Sequence, residues 1–387
     1  MHQVRRSLLS PAAPVLTAAL TLAAALLPAS PAQASTTSWR VNHRVKLGAV
    51  TIIASVAALR PADAWAMGIT QKKNGGTVAS VIERWNGRGW GRVTLPSAVA
   101  AKWNGTFPVA TIAARSDSDL WAFGDLVPQY LRRSGTHWST GRLPTPAGSA
   151  AVFVNAGVDR GPGHVWALGG TSHANGSFSP YAARFNGTRW SMVKVPGHGP
   201  IVAVSAISAS DIWAVTGTSS LQPFAGLPVT TRRPEVLHWN GTAWRAVHLA
   251  ARLPGSPSSI LAISDHDVWI GGSHANAKHG TSEYAAQFTG RALHVSKLRV
   301  TAARSKFDMI QLASDGHGGI WGLAANLTAE SARFWHRTGS AWHGPMPVRF
   351  GPSTTIVSIA HVPGTASMWG AGVSRGAGLI AVEGRVR

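Results

Sequence analysis

Two copies of the tetrapeptide Ser-His-Ala-Asn are the part of this 387-residue sequence whose side chains and spacing best suit ligand chemistry. They occupy residues 172–175 and 273–276, each shortly after a tryptophan. Imidazoles bind both metals and anions. We expect His173, His274 and the nearby His279 to line a site for a metal or an anionic ligand. The alternative is that they are solvated loop histidines, repeated because the units duplicated.

Acidic residues number only 15, so their placement is informative. Four aspartates stand two residues before a recurring tryptophan, where a short acceptor can bond the N–H groups of a turn: Asp63, Asp119, Asp211 and Asp267. Asp117 and Asp119 are two residues apart, as are Asp265 and Asp267, which is a spacing found in some calcium loops. Neither pair has the further oxygen ligands that a calcium loop requires. A glycosidase needs two carboxylates facing one cleft, and the repeat suggests no such pair. The acidic residues therefore predict no catalytic residue and no metal site, and we assign no cofactor.

A repeat sets the elements that must position these side chains. A tryptophan after an apolar or small residue recurs with spacings of 56, 45, 47, 56, 52 and 48 residues. We call these the blade tryptophans: Trp65, Trp121, Trp166, Trp213, Trp269, Trp321 and Trp369. Each unit also has an apolar run before the tryptophan, an aromatic before a tight turn, and usually a further tryptophan. This pattern predicts an all-β, seven-bladed β-propeller with four-stranded blades.

The repeat resembles that of secreted bacterial β-propellers whose blades read S-x-D-[IVL]-W-A-[VF]-G and then W-N-G-T-x-W. Here the motifs are at residues 116–124, 208–215 and 239–244. Kelch and BNR-type propellers are more distant likenesses. The resemblance implies the fold over nearly the whole mature chain but no particular activity, because such propellers include enzymes, lectins and scaffolds. The full Asp-box of sialidases is absent, and a chain without cysteine excludes the Cys–Tyr pair of galactose oxidase.

The N-terminus predicts export. Arg5 and Arg6 precede an apolar run at 15–27 and an Ala-Gln-Ala cleavage pattern that ends at Ala34. Residues 1–34 are therefore predicted to be a secretory signal peptide and 35–387 a single propeller domain. A membrane anchor is the alternative, although the run is shorter than a spanning helix requires. No second long apolar run follows, so we expect a secreted protein without a transmembrane segment.

The seventh unit lacks a fourth strand, and a matching segment lies at the other end of the chain. Residues 38–45, SWRVNHRV, resemble fourth strands such as 189–195, RWSMVKV. We predict that residues 35–50 complete the last blade and close the ring. The seven units then fall near 51–96, 97–144, 145–196, 197–249, 250–300, 301–347 and 348–387.

The formal net charge of +21 favours an anionic partner. Cell-wall or acidic polysaccharide is the partner we predict, and the short basic runs do not favour nucleic acid. Loops between second and third strands would form the binding face, with these residues besides the histidines: Lys72, Lys73, Phe224, Arg232 and Arg233. Trp103, between the first two units, is either a sugar platform or a cap.

The predicted function is therefore a secreted, monomeric binding module. A carbohydrate-active lyase or hydrolase that works with histidine and arginine is one alternative. A scaffold for other secreted proteins is the other, and it would bind a protein partner rather than a glycan.

Overall fold

Four-stranded antiparallel sheets contain most of the residues that the computed structural model describes, which are 39–71, 79–103, 109–124, 127–217, 233–276, 280–298, 309–326, 330–346, 348 and 350–386. These residues belong to one unit, Thr37–Arg387. The predicted signal peptide lies outside the described residues. No helix among the described residues is long and apolar enough to cross a membrane.

The strands follow the chain from the inside of each sheet to its outside. The chain begins with β1 (Arg40–Val45); blade 1 is β2 (Val50–Arg60), β3 (Asp63–Gln71), β4 (Ala79–Trp85) and β5 (Trp90–Arg92). Helix α1 (Ser97–Trp103) leads to blade 2, which is β6 (Val109–Ser116), β7 (Asp119–Gly124), β8 (Gln129–Ser134) and β9 (His137–Arg142). Blade 3 is β10 (Ala151–Asp159), β11 (Val165–Ser172), β12 (Phe178–Phe185) and β13 (Trp190–Met192).

The remaining blades repeat the order. Blade 4 is β14 (Ile201–Ser208), β15 (Asp211–Thr216), β16 (Val236–Trp239) and β17 (Trp244–Ala246). Blade 5 is β18 (Ser256–Ser264), β19 (Asp267–Asn276), β20 (Gly280–Phe288) and β21 (Leu293–Leu298). Blade 6 is β22 (Met309–Ser314), β23 (Ile320–Asn326), β24 (Ser331–Thr338) and β25 (Ala341–Met346), and blade 7 contains β26 (Thr354–His361), β27 (Met368–Ser374) and β28 (Ala377–Glu383).

Strand β1 is the outer strand of blade 7. The sheet order is β1-β28-β27-β26, and the pairing runs from Arg40 opposite Val382 to Val45 opposite Gly378. The first strand of the described chain therefore completes the last blade. This confirms the predicted ring closure and the seven-bladed, four-stranded propeller.

The inner strands are joined by small polar side chains. The hydroxyl of Ser259 accepts a hydrogen bond from the backbone N–H of Leu312 at 2.9 Å, across the boundary between blades 5 and 6. Ser205 accepts one from Ala262 at 2.9 Å in the same way between blades 4 and 5. Blades converge at these strands, so space is tight there. Short Ala- and Ser-rich runs suit both the space and the bonding.

Tryptophans fill the wider space between blades. The indole on the outer strand of each blade meets the blade tryptophan of the preceding blade edge-on, as in Trp190 against Trp121, at 5.3 Å between ring centroids and 87° between planes. The same arrangement occurs in Trp90–Trp369, Trp138–Trp65, Trp244–Trp166, Trp342–Trp269 and Trp39–Trp321. Blade 5 has Leu293 instead, which packs in the cluster of Trp213. The prediction that the repeated tryptophans are core residues is confirmed.

The third-strand aromatic was predicted wrongly in two blades. The sequence pattern predicts Tyr130 or Leu131 for this position in blade 2 and Trp335 in blade 6. Arg133 and Arg337 instead occupy the position that pairs with the residue before the blade tryptophan. Arg133 lies 5.3 Å from the ring centroid of Trp65, and Arg337 lies 4.6 Å from that of Trp269. A guanidinium stacks on indole much as an aromatic ring does, which explains the exchange.

Ring closure by Trp39 gives a stability prediction. Trp39 is fully buried on blade 6, stacked on Phe334 at 4.4 Å between ring centroids. Replacing it with alanine (Trp39→Ala) should lower the free energy of unfolding by about 3–5 kcal/mol, as for other buried tryptophans. Thermal and urea unfolding would measure this. Leu47→Ala, at a 49 % exposed position of the same segment, is the control, and equal stability of the two variants would contradict closure through Trp39.

Candidate functional site

The predicted binding face is the end of the ring that carries the links between second and third strands and the links between blades. We call it the link face. His173 lies there, directly after β11, and is half-buried. Its ring Nε2 is 2.9 Å from the Ser179 hydroxyl, and its backbone N–H donates to the Ser177 carbonyl. His173 is thus held within its own hairpin.

His274 lies in a strand rather than in a loop. It is exposed and pairs with Ser282 near the link end of β19 and β20. Arg233, also exposed, lies just before β16. Therefore three predicted residues of consecutive blades, His173, Arg233 and His274, share the link face. The other predicted ligand residues lie outside the described residues: Lys72, Lys73, Phe224, Arg232 and His279.

Trp103 is not a ligand platform. It is the last residue of α1, and only 1 % of it is exposed. Its indole N–H donates to the Ser80 hydroxyl at 2.8 Å, and its ring packs in one cluster with Trp65 and Trp138. The prediction that Trp103 contacts a ligand is wrong, and its alternative role as a cap is right.

Sugar stacking by tryptophan has no support on this surface. The chain has 17 tryptophans, all within the described residues, and none is exposed. Three outer-strand tryptophans are half-buried and the rest are buried: the half-buried ones are Trp90, Trp190 and Trp342. The blades use these rings for packing, so an aromatic platform for a neutral glycan would need other residues.

The aspartates before the blade tryptophans bond side chains rather than the turn backbone that we predicted. Asp211 accepts from the Trp213 indole N–H and from His238 Nε2, both at 2.9 Å. Asp267 accepts from the Trp269 indole and the Gln287 amide, both at 2.7 Å. The turn N–H groups are bonded instead by a serine at the end of the inner strand, such as Ser208 for Ser210. Asp211 and Asp267 therefore hold their blade tryptophans in place, whereas Asp63 and Asp119 bond arginines.

Repeat geometry also brings carboxylates together, contrary to the sequence-based expectation. Arg115 bonds Asp119 at 2.8 Å and lies 4.0 Å from Asp159, between blades 2 and 3. Arg84 similarly bridges Asp63 and Asp117 between blades 1 and 2, at 3.4 and 3.1 Å. Each pair shares an arginine, and one member of each is buried. This arrangement supports packing of neighbouring blades rather than general acid–base chemistry.

Burial raises the pKa values of five carboxyl groups, among them Asp63 and Glu83. Burial raises the pKa of Glu283 to about 7, of Glu383 to about 7 and of Asp159 to about 6. Neither carboxylate oxygen of Glu283 has a hydrogen-bond partner. Among the described residues, no cluster of three or more histidine, aspartate or glutamate side chains could hold a metal ion.

The outer strands carry positive charge and no acidic side chains. None of the seven contains aspartate or glutamate. Exposed basic residues lie on them or just beyond their ends: Arg40, Arg44, Lys46, Arg92, Arg142, Lys194, Arg245 and Lys297. By contrast, only Asp265 and Glu330 are exposed acids in the described part of the chain. The rim of the ring is thus basic, and most of the acidic residues are withdrawn from the surface.

Comparison with known proteins defines the fold and nothing finer. No family model and no curated protein matches the sequence. The structure is similar to YCF48 bound to D1 peptide, with a TM-score of 0.55 and 12 % identity over 89 % of this chain and 94 % of that one. The β-propeller domain of Cps50 (Swd1) from Myceliophteria thermophila is similar at a TM-score of 0.54 and 12 % identity, over 89 % of this chain and 99 % of that one. The class is the seven-bladed β-propeller.

The buried carboxyls predict an unusual dependence of stability on pH. Because the folded-state pKa values of Glu283, Glu383 and Asp159 are raised, the folded protein binds protons that the unfolded chain has released. Their stabilisation is full below about pH 4 and is lost as pH rises through 6 to 7. The pKa of Asp315 is lowered, so its contribution is lost in acid. Maximal stability is expected near pH 5, measured by urea unfolding from pH 4 to 8.

Glu283→Gln tests the largest part of this effect. The amide removes the buried charge, so the free energy of unfolding at pH 7.5 should rise by about 1–3 kcal/mol and should fall less steeply with pH. Asp265→Asn, at a carboxyl that is 62 % exposed, is the control and should change little. A variant less stable than the parent at pH 7.5 would show that the charged form of Glu283 is favoured in the fold.

Proposed function

We propose that this propeller is a secreted binding module for an anionic polymer of the cell envelope. The basic rim of the ring is the observation that carries the proposal. Its cationic side chains stand on or just beyond the outer strands of six of the seven blades, on both sides of the closure at β1. A polymer with regularly spaced negative charges could contact several blades at once. Export, on which the cellular setting depends, rests on the predicted signal peptide.

The separation of buried acidic side chains from exposed basic ones strengthens the positive potential of the rim. Asp63, Glu83 and Asp159 are buried between blades and are compensated by arginines. Arg92 pairs with Glu83 and Arg40 lies near Glu383. The other exposed bases of the outer strands have no ion pair with a described acidic residue, so their fields add. Such a surface attracts polyanions over about one Debye length, near 10 Å at 0.1 M salt. Binding should therefore weaken as salt increases.

The rim favours charge over sugar stacking. Because no tryptophan is exposed, the affinity should follow the charge of the polymer rather than the identity of its sugars. The exposed link-face residues Arg233 and His274 would add to the same attraction. A neutral polysaccharide should bind far more weakly than an acidic one of the same length.

Retention on polymers tests the proposal. The mature protein is passed over isolated bacterial cell wall, an acidic polysaccharide and neutral dextran across a salt series. A triple variant of the rim, Lys194→Gln, Arg245→Gln and Lys297→Gln, should lose about tenfold in affinity, since each exposed ion pair contributes about 0.2–1 kcal/mol. Dextran should not retain the parent protein.

A matched variant distinguishes a surface from net charge. Arg88, Arg189 and Arg291 are exposed in the hairpin turns at the opposite end of the ring from the link face. Their triple replacement with glutamine removes the same charge and should leave retention within about twofold of the parent. Equal loss in both triple variants would mean that the net charge acts without a preferred surface, and the proposal would fail.

A further inference from the structure

The outer edge of blade 5 differs from the other edges of the ring. The outer strand of each propeller blade has one edge that its own sheet leaves unpaired. Such an edge can pair with another chain. Natural sheets blunt such edges with short strands, bulges, proline, charge or a covering element. We compared the seven outer strands for these devices.

Three outer strands are short. β5, β13 and β17 each have only three residues. A three-residue edge offers too few outward N–H and C=O groups for stable pairing. These blades therefore need no further protection.

Two longer edges are irregular. The register of β1 against β28 shifts between Val41 and His43, and that of β25 against β24 shifts between Phe334 and His336. A bulge bends and twists the strand away from a flat partner. β25 also contains Pro345, which has no N–H to donate.

A sixth edge is covered. β9 has six residues in regular register with β8. Helix α1 packs against it, and Trp103 of the helix shares a cluster with Trp138 of the strand. The cap formed by α1 thus hides the one long, regular edge in the first half of the ring.

Apart from the charge of Lys297, β21 has none of these devices. It pairs with β20 over six residues without a shift, from Phe288 opposite Leu293 to Glu283 opposite Leu298. It is the last strand of its sheet, it contains no proline, and no described helix or strand pairs with its outer side. In an antiparallel edge, every second residue directs its N–H and C=O outward. The edge therefore presents a regular ladder of backbone groups that no strand of the described part of the chain pairs with.

The side chains along β21 indicate what would bind. Val295 and Lys297 lie on the same face by strand alternation, and both are exposed; Val295 is 43 % exposed. His294, also exposed, lies on the other face. A partner strand with a β-branched residue and an acidic residue two positions apart would match the first face. An acidic residue would also suit His294.

We propose that β21 binds an extended acidic peptide segment of a partner protein as a fifth strand of blade 5. The backbone ladder supplies the hydrogen bonds, and Val295 and Lys297 select the sequence. This site is separate from the proposed polymer function, because it needs strand pairing and not only charge. The partner is defined by its chemistry: an extended, β-branched and acidic segment.

The test uses the mature protein and a blocked peptide, Thr-Glu-Val-Thr-Glu-Thr-Val. Fluorescence anisotropy measures its affinity at moderate salt. Two further peptides carry backbone N-methyl groups at residues 3 and 5 or at residues 2 and 4, which removes the donors of one edge without changing charge. One of the two should bind at least about tenfold more weakly, the effect of losing two backbone hydrogen bonds.

Matched variants locate the site. Lys297→Glu and Val295→Lys should each weaken binding of the unmethylated peptide about tenfold or more, because like charge or lost apolar contact faces the added strand. Lys194→Glu and Met192→Lys make the same changes at the short outer edge of blade 3, where Met192 is 49 % exposed. These two controls should bind the peptide as the parent does.

Several results would overturn the proposal. Equal affinity of all three peptides would show that backbone pairing is not used, and equal losses in the blade 3 controls would show that β21 is not the site. A dimer of the protein alone that disappears in Val295→Lys would identify a second copy as the occupant. Absence of peptide binding with undiminished polymer retention would remove this site and leave the proposed polymer function intact.

Discussion

The edge-on contact between tryptophans of neighbouring blades is the interaction on which the ring depends. In each such contact, the electropositive edge of one indole meets the electronegative face of the other, and both rings leave water. Six of the seven junctions contain this pair. At the junction of blades 4 and 5, Leu293 replaces one ring, and Phe288 lies 6.1 Å from Trp213 instead. Because every junction uses residues from two sheets, no blade is complete without its neighbours.

This constraint explains the closure and the placement of charge. The last junction lacks an outer tryptophan unless β1 supplies Trp39, so the first strand must join the last blade. Packing also determines where the acidic side chains lie. Each aspartate that bonds an indole, Asp211 or Asp267, is half-buried beside the ring and also accepts a hydrogen bond from a neighbouring strand, from His238 or Gln287. The acidic residues are drawn inward, and the bases remain on the rim.

Much of the fold could be predicted because the repeat encodes it. The period of the blade tryptophans, the Asn-Gly turns and the likeness of residues 38–45 to other outer strands led to the correct number of blades and the correct closure. The role of Asp211 could not be predicted in the same way. An acceptor two residues before a tryptophan can bond either a turn N–H or the indole, and the choice depends on His238, a cross-strand neighbour 27 residues away.

The candidate sites were harder to predict for a related reason. Trp103 stands outside the repeat, so no period shows which side it faces, and its burial depends on a helix between two blades. The sequence predicts a loop at His274 because it does not show how far β19 extends toward the link face. Strand length varies from blade to blade at that end. The link ends of the strands are free to vary because the tryptophan contacts lie near the opposite end of each sheet, where Trp166 is the second residue of β11 and Trp190 the first of β13. New binding surfaces therefore arise most readily on the outer strands and links, where a longer strand or an added charge leaves the junctions intact.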